Sequence, residues 1–169
     1  MDYLWAPWRM EYILGKKKRG CFLCRRLKEK KNKEHLVLYQ GQHVFVIMNK
    51  FPYTNGHLMV VPKRHCLNLE QLNTDELKEL FELLKVSVRA LKASLHPHGF
   101  NIGMNIGKMG GAGEDHLHLH IVPRWAGDTN FMPVLGKTRI ISEYLEETYK
   151  KLRSAFTDLL RKKGVQKGG

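Results

Sequence analysis

The sequence has few acidic residues, only three cysteines and no long apolar run, and each shortage excludes a class of protein. No uninterrupted apolar stretch approaches the ~18 residues that a membrane-spanning helix needs. An odd number of cysteines argues against a framework of disulfide bonds. The first residues lack the basic start and the apolar core of a secretory signal peptide, so we expect a cytoplasmic protein without membrane association.

The shortage of acidic residues leaves a surplus of positive charge: 29 Lys and Arg stand against 16 Asp and Glu, a net charge of +13. The basic residues gather in three clusters, at 16–19, 25–31 and 161–163. Such clusters attract nucleic acid, membrane lipid or phosphorylated metabolites, or they simply keep a surface hydrated. Aromatic residues are not interleaved with them and no nucleic-acid-binding motif is present, so a non-catalytic module that binds nucleotides or nucleic acid is the weaker interpretation.

The hydrophobic pattern predicts a single α+β domain over residues 1–169, with a frayed tail of 164–169. After a short helix that starts near Cys21, the pattern predicts three strands, a long amphipathic helix that Asn73 and Glu76 cap, two more strands and a helix over about 141–163. The five predicted strands are EHLVLYQ, HVFVIMN, GHLMVVPK, FNIGMNIG and DHLHLHIVPRW. We expect an antiparallel sheet with helices packed against one side.

The stretch EDHLHLHIVPRW, residues 114–125, places three histidines at alternate positions. Alternate side chains of a strand share a face, so His116, His118 and His120 are expected to line one face while the intervening aliphatic residues enter the core. A row of imidazoles can bind a metal, donate to phosphate oxygens or attack phosphorus. A chance structural cluster is the alternative. A zinc site that uses all three is geometrically awkward, since Zn–N bonds are only ~2.0–2.1 Å long.

The run HLHLHIV resembles the alternating signature of the histidine triad (HIT) superfamily of nucleotidyl hydrolases and transferases. MNKFPYTNGHLMVVPKRH is similar to the second conserved block of that family, and MNIGKMGGAGEDHLHLH to the loop that precedes the triad in its Fhit-like branch. The segments LWAPWRMEYI and PRWAGDTNFMPV resemble the bacterial branch related to diadenosine tetraphosphate phosphorylases. The resemblance covers roughly residues 20–130 and implies that these form the core of the domain, after an N-terminal extension of 1–19. It also implies an antiparallel five-stranded sheet with a long helix packed on it and a C-terminal helix, and a homodimer joined through the long helix and a strand edge.

The resemblance also implies catalytic roles. His118 would attack the α-phosphorus of a dinucleoside polyphosphate and form a nucleotidyl-histidine intermediate, which water or phosphate then resolves. His120 would donate to a phosphate oxygen, and His57 would lie near the same phosphates. A Hint-like phosphoramidase, which cleaves a nucleoside monophosphate from an amine, is the alternative within the same family.

The substrate-binding residues are carried over in the same way. Asn49 would bind the ribose hydroxyls, and Asn105 would contact the bridging or α-phosphate oxygens. Gly111 belongs to the glycine-rich run 107–113, whose backbone N–H groups can approach an anion closely. Lys108 and Arg124 are candidates for the distal phosphates, or are solvated charges. The scheme needs no catalytic metal and admits magnesium bound with the polyphosphate.

Cys21 and Cys24 form a C-x-x-C pair that the residues alone leave open between a redox pair, two buried thiols and a metal site. The βαβ context of a thioredoxin-like redox motif is missing. Some relatives in the resembled superfamily hold structural zinc with such a pair and two histidines, which here correspond to His65 and His116. Two cysteines and two histidines are a common tetrahedral zinc set, so we expect structural zinc here and treat Cys66 as incidental.

Overall fold

The computed structural model describes residues 20–29, 31–128 and 143–165, with side chains as far as Arg161. The N-terminal extension and the end of the tail therefore lie outside the described residues. The chain runs through α1 (Phe22–Lys28), β1 (Val37–Gln40), β2 (Val44–Met48), β3 (Leu58–Pro62), α2 (Thr74–Leu95), β4 (Gly99–Met104), β5 (Leu119–Arg124) and α3 (Leu145–Val165), with short 3-10 turns at Leu69–Gln71 and Lys108–Gly110. The predicted order of strands and helices is confirmed.

The five strands form one antiparallel sheet in the order β1-β2-β3-β5-β4. Within the described residues, β3 and β5 lie next to each other near the middle of the sheet, in the register Met59 opposite His120. The strand β5, which carries His120, the last histidine of the triad, is therefore paired on both sides, with β3 and with β4. A side chain on such a strand is held more rigidly than one on a loop.

The sheet has a main core on one face and a smaller one on the other. The helices α2 and α3 cover the first face, where Leu80, Leu91 and Phe156 pack against alternate strand residues. The short helix α1 covers the second face, where Leu23 packs against Phe45 and other residues of β1–β3. The expectation that all helices lie on one side holds for α2 and α3 but not for α1, because the strands are apolar on both faces. This places Cys21, which directly precedes α1, against the second face of the sheet.

The start of α2 is fixed by the capping pattern that the sequence predicts. Asn73 Oδ1 accepts from Glu76 N–H at 2.9 Å, and the Glu76 carboxylate accepts from Asn73 N–H at 3.0 Å. The same carboxylate is buried and accepts two bonds from the Arg64 guanidinium, at 2.9 and 2.7 Å. The Arg64 guanidinium holds the pKa of Glu76 below its usual range. This ion pair anchors the segment after β3, which carries His65.

Two details of the fold differ from the sequence prediction. Phe81 is 53% exposed although it falls on the apolar stripe of α2. The regular part of β5 begins only at Leu119, so His116 and His118 lie just before the strand. Pro62 ends β3 and has no backbone N–H to donate to a neighbouring strand. Its carbonyl accepts a hydrogen bond from the His116 ring. Among the described residues, no helix is long and apolar enough to span a membrane.

Candidate functional site

The structure brings together the four residues predicted to bind metal. Cys21 precedes α1, Cys24 lies in its first turn, His65 follows β3, and His116 precedes β5. Their ligand atoms all lie within 4.8 Å of one another. His116 Nδ1 is 3.2 Å from Cys21 Sγ, 3.5 Å from Cys24 Sγ and 3.3 Å from His65 Nδ1. Cys24 Sγ is 3.5 Å from His65 Nδ1.

These separations match the edges of a zinc tetrahedron. Zn–S bonds of ~2.3 Å and Zn–N bonds of ~2.0–2.1 Å give edges of about 3.3 Å between two nitrogens and about 3.5 Å between nitrogen and sulfur. The His116 Nε2–H donates to the Pro62 carbonyl at 2.9 Å, which leaves Nδ1 as the nitrogen that faces the cysteines. Burial lowers the pKa of His116 to about 4, so this imidazole is neutral, as a metal ligand must be. The residues present therefore fit a zinc ion.

A metal ion at this cluster would have to displace the proton of the partly buried Cys24 thiol. Burial, with the neighbouring Cys21, raises the pKa of the Cys24 thiol to about 11 in the metal-free chain. A divalent ion between the two sulfurs would supply the positive charge that stabilises the thiolates. Cys66, in contrast, is 2% exposed and belongs to the main hydrophobic core. It is not part of the metal-binding cluster.

The central histidine of the triad is buried and has a fixed orientation. His118 is 7% exposed, and its Nδ1–H donates to the backbone carbonyl of His116 at 2.7 Å. A neutral imidazole carries one proton, so this bond leaves Nε2 with its lone pair available. The arrangement is that of a nitrogen nucleophile held in one tautomer. His116 also belongs to the metal-binding cluster. Its ring therefore faces that cluster, while its backbone carbonyl orients His118.

Of the other two predicted catalytic histidines, His120 adjoins His118 and His57 adjoins His120. The rings of His118 and His120 lie edge to face with centroids 4.5 Å apart. His57 Nε2 lies 2.9 Å from His120 Nδ1. Burial, with the nearby histidines, lowers the pKa of His57 to about 3 and that of His120 to about 4, so both rings are neutral near pH 7. Each ring therefore offers one donor and one acceptor to its neighbours.

Apart from the arginine, the predicted substrate-binding residues lie in two places, Asn49 beside the histidines and the others in or next to the glycine-rich run. Asn49 lies beside His57, with its amide nitrogen 3.4 Å from His57 Nδ1. Asn105 Nδ2 donates to the Gly111 carbonyl at 3.3 Å. This bond links the residue that follows β4 to the glycine-rich run. Lys108 is exposed in the 3-10 turn of that loop. Their contacts with a substrate stay predictions.

Arg124 has structural partners. Its guanidinium donates to both oxygens of Asp128, at 2.6 and 2.8 Å, and to Asn101 Oδ1 at 2.7 Å. The Asp128 carboxylate raises the pKa of Arg124 further. These bonds join the end of β5 to β4 and to the following turn. Binding a distal phosphate, as the sequence predicts, would require Arg124 to share its donors with these partners.

Sequence reasoning missed Tyr53 as part of this group of side chains. Its ring stacks on His57, with centroids 4.7 Å apart and an angle of 27° between the planes. Its backbone N–H donates to His57 Nδ1 at 3.2 Å. Tyr53 lies in the NKFPYTNGH block, but it has no periodic or motif signal of its own. Only the path of the loop between β2 and β3 brings it onto His57.

Comparison with known proteins decides the family. Residues 30–127 match the HIT domain. AP-4-A phosphorylase of Mycobacterium tuberculosis is 36% identical over 157 residues, which cover 88% of this chain and 80% of that protein. This chain belongs to the HIT domain family. The resemblance inferred from the triad is thus confirmed.

Solved structures agree with the fold of this HIT domain. A zinc-bound histidine triad family protein from Mycobacterium smegmatis superposes with a TM-score of 0.69 at 28% identity, covering 83% of this chain and 95% of that one. A hypothetical histidine triad nucleotide-binding protein from Sulfolobus tokodaii superposes with a TM-score of 0.70 at 30% identity, covering 84% of this chain and 95% of that one. The predicted HIT-like α+β sheet is confirmed.

Proposed function

We propose that this HIT domain is a nucleotidyl transferase that cleaves dinucleoside polyphosphates, such as diadenosine tetraphosphate, at the α-phosphate. The observation that carries the proposal is the fixed tautomer of His118, whose Nδ1–H bonds to the His116 carbonyl. This leaves Nε2 as the attacking atom, next to the neutral ring of His120, which can donate. The similarity to AP-4-A phosphorylase supports the substrate class and favours phosphate as the acceptor.

The reaction divides into two displacements at the same phosphorus. In the first, His118 Nε2 forms a P–N bond to the α-phosphorus and the P–O bond to the departing nucleotide breaks. His120 donates a hydrogen bond to a phosphate oxygen, where negative charge develops. In the second, an oxygen of phosphate or water attacks the same phosphorus, the P–N bond breaks and His118 is regenerated. Two easier steps replace one difficult step.

Incubation with diadenosine tetraphosphate, with and without inorganic phosphate, tests this proposal. We expect ADP and ATP, separated by ion exchange, to appear only when phosphate is present. If AMP and ATP form without phosphate, water is the acceptor, and the mechanism through a histidine intermediate still applies. An absence of turnover in both samples would contradict the proposed substrate class.

We also propose that Cys21, Cys24, His65 and His116 hold a structural zinc ion. The distances from His116 to the other three ligand atoms, and from Cys24 to His65, match the edges of a zinc tetrahedron and support this. The similarity to the zinc-bound protein from M. smegmatis supports it as well. When bound, the zinc would cross-link α1 to the segments that follow β3 and precede β5. With four protein ligands its coordination would be complete, as in structural sites. His116 would then position His118 through its carbonyl and would take no part in the chemistry itself.

We further propose that the protein is a homodimer joined through β4 and α2. In the described part of the chain β4 pairs with β5 alone, and Ile102 on β4 and Phe81 on α2 are 46% and 53% exposed. An edge strand and exposed apolar side chains are features that partner chains cover. Sedimentation equilibrium should give the mass of two chains, and Ile102→Lys should shift it toward one. A wild-type protein of one-chain mass at micromolar concentration would contradict this proposal.

A further inference from the structure

We propose that Asn49 is a positioning residue that, together with the Tyr53 N–H, sets through His57 which ring nitrogen of His120 carries the proton. This goes beyond the ribose contact that the sequence predicts for Asn49. The consequence for catalysis rests on the proposed function. The protonation of the His57 and His120 rings does not depend on that function, and it can be measured without a substrate.

The orientation of the Asn49 amide is fixed by the backbone. Asn49 Oδ1 accepts from the Phe51 N–H at 2.9 Å, which identifies that atom as the oxygen. The amide nitrogen therefore faces His57 Nδ1, at 3.4 Å. The Tyr53 N–H donates to the same ring nitrogen at 3.2 Å. His57 Nδ1 is thus surrounded by donors and must act as an acceptor.

The acceptor role of His57 Nδ1 determines the rest of the chain of bonds. His57 is 1% exposed, so its hydrogen-bonding groups depend on protein partners. With Nδ1 unprotonated, the neutral ring carries its proton on Nε2 and donates to His120 Nδ1, 2.9 Å away. His120 then carries its own proton on Nε2. The low pKa values of both rings, about 3 and about 4, exclude a doubly protonated form near neutral pH.

The expected consequence is a donor at a defined position beside the nucleophile. If His120 carried its proton on Nδ1, its Nε2 would present a lone pair and would repel a phosphate oxygen. A preorganised donor to the developing charge typically contributes about 10²–10³ in rate. Asn49 would therefore act on turnover through two imidazole rings, without contact with the reacting phosphorus.

Asn49→Asp is the test, because it keeps one oxygen for the Phe51 N–H and replaces the donor that faces His57 with an acceptor. Long-range 1H–15N NMR of the histidine rings, recorded without substrate, reports which nitrogens are protonated. In the wild-type protein we expect His57 and His120 each to carry their proton on Nε2. In the variant we expect Nδ1 of His57 to gain a proton, because a charge-assisted bond to the carboxylate is stronger than the neutral bond from the Tyr53 N–H that it replaces. Asn32→Asp adds the same charge away from the triad, where Asn32 Oδ1 accepts from Gln40, and should leave both rings unchanged.

The kinetic readout separates positioning from ribose binding. A positioning role predicts that kcat of Asn49→Asp falls about 10²-fold while KM for diadenosine tetraphosphate changes little. A rise in KM with unchanged kcat would overturn the proposal in favour of the ribose contact alone. It would also be overturned by a wild-type His120 protonated on Nδ1, or by an unprotonated Nδ1 of His57 in the variant. The NMR results hold even if the protein acts on another substrate, so failure of the proposed function is distinguishable.

Discussion

His118→Ala should reduce turnover of diadenosine tetraphosphate by about 10⁴-fold or more, because it removes the atom that forms the covalent intermediate. The variant should still bind the substrate, with a dissociation constant within about tenfold of the wild type, since the other contacts remain. Calorimetric titration of the variant with the unreacted substrate measures this affinity. Steady-state assays of both proteins with phosphate present give the loss of turnover.

A matched control removes an imidazole that lies outside the site. His96 ends α2 in the left-handed backbone region, at φ 48°, and is exposed. Asparagine tolerates that conformation better than most residues, so His96→Asn should fold normally and retain turnover within about twofold. If His118→Ala kept more than about 1% of wild-type turnover, the nucleophile would have to be another group.

The double substitution Cys21→Ser and Cys24→Ser should remove the bound zinc and strongly destabilise the protein. Metal analysis should find about one zinc per chain in the wild type and less than about 0.1 in the variant. The zinc is expected to join three separate segments, so its loss should lower the midpoint of thermal unfolding by more than about 10 °C. Turnover should fall as well, because His116 provides the carbonyl that orients His118.

Cys66→Ala provides the control for loss of a thiol. Cys66 directly follows His65 but lies in the main core, so this variant should keep its zinc although it loses some packing. A zinc chelator should lower the unfolding midpoint of the wild type and of Cys66→Ala, and should leave the double variant unchanged. Less than about 0.1 zinc per chain in carefully handled wild-type protein would contradict the structural zinc site.

The parts of the fold that the sequence predicts correctly depend on short-range patterns. The start of α2 follows from Asn73 and Glu76, whose reciprocal bonds span three residues. The aliphatic residues of the triad enter the core because alternation alone decides the face on which they lie. The metal-binding cluster could be predicted only from the family resemblance. Local spacing does not show that Cys21 contacts a histidine 95 positions later in the chain.

The features that the sequence did not reveal depend on contacts between distant elements. The exposure of Phe81 depends on where α3 packs, which the apolar stripe of α2 does not encode. The pairing of Arg124 with Asp128 competes with the phosphate contact predicted for it, and a charge pattern cannot choose between the two. The stacking of Tyr53 on His57 and the amide contact of Asn49 require the path of the β2–β3 loop. Side-chain partners of this kind determine which tautomer each histidine adopts.

Capture of a covalent nucleotidyl group on His118 would test its role as the nucleophile most directly. Wild-type protein is mixed with diadenosine tetraphosphate without phosphate, denatured at alkaline pH to preserve the P–N bond, digested and examined by mass spectrometry. We expect one adenylyl group on the peptide that contains His118, and none after phosphate is added before denaturation. An adenylyl group on another residue, or turnover without any adduct, would contradict the account.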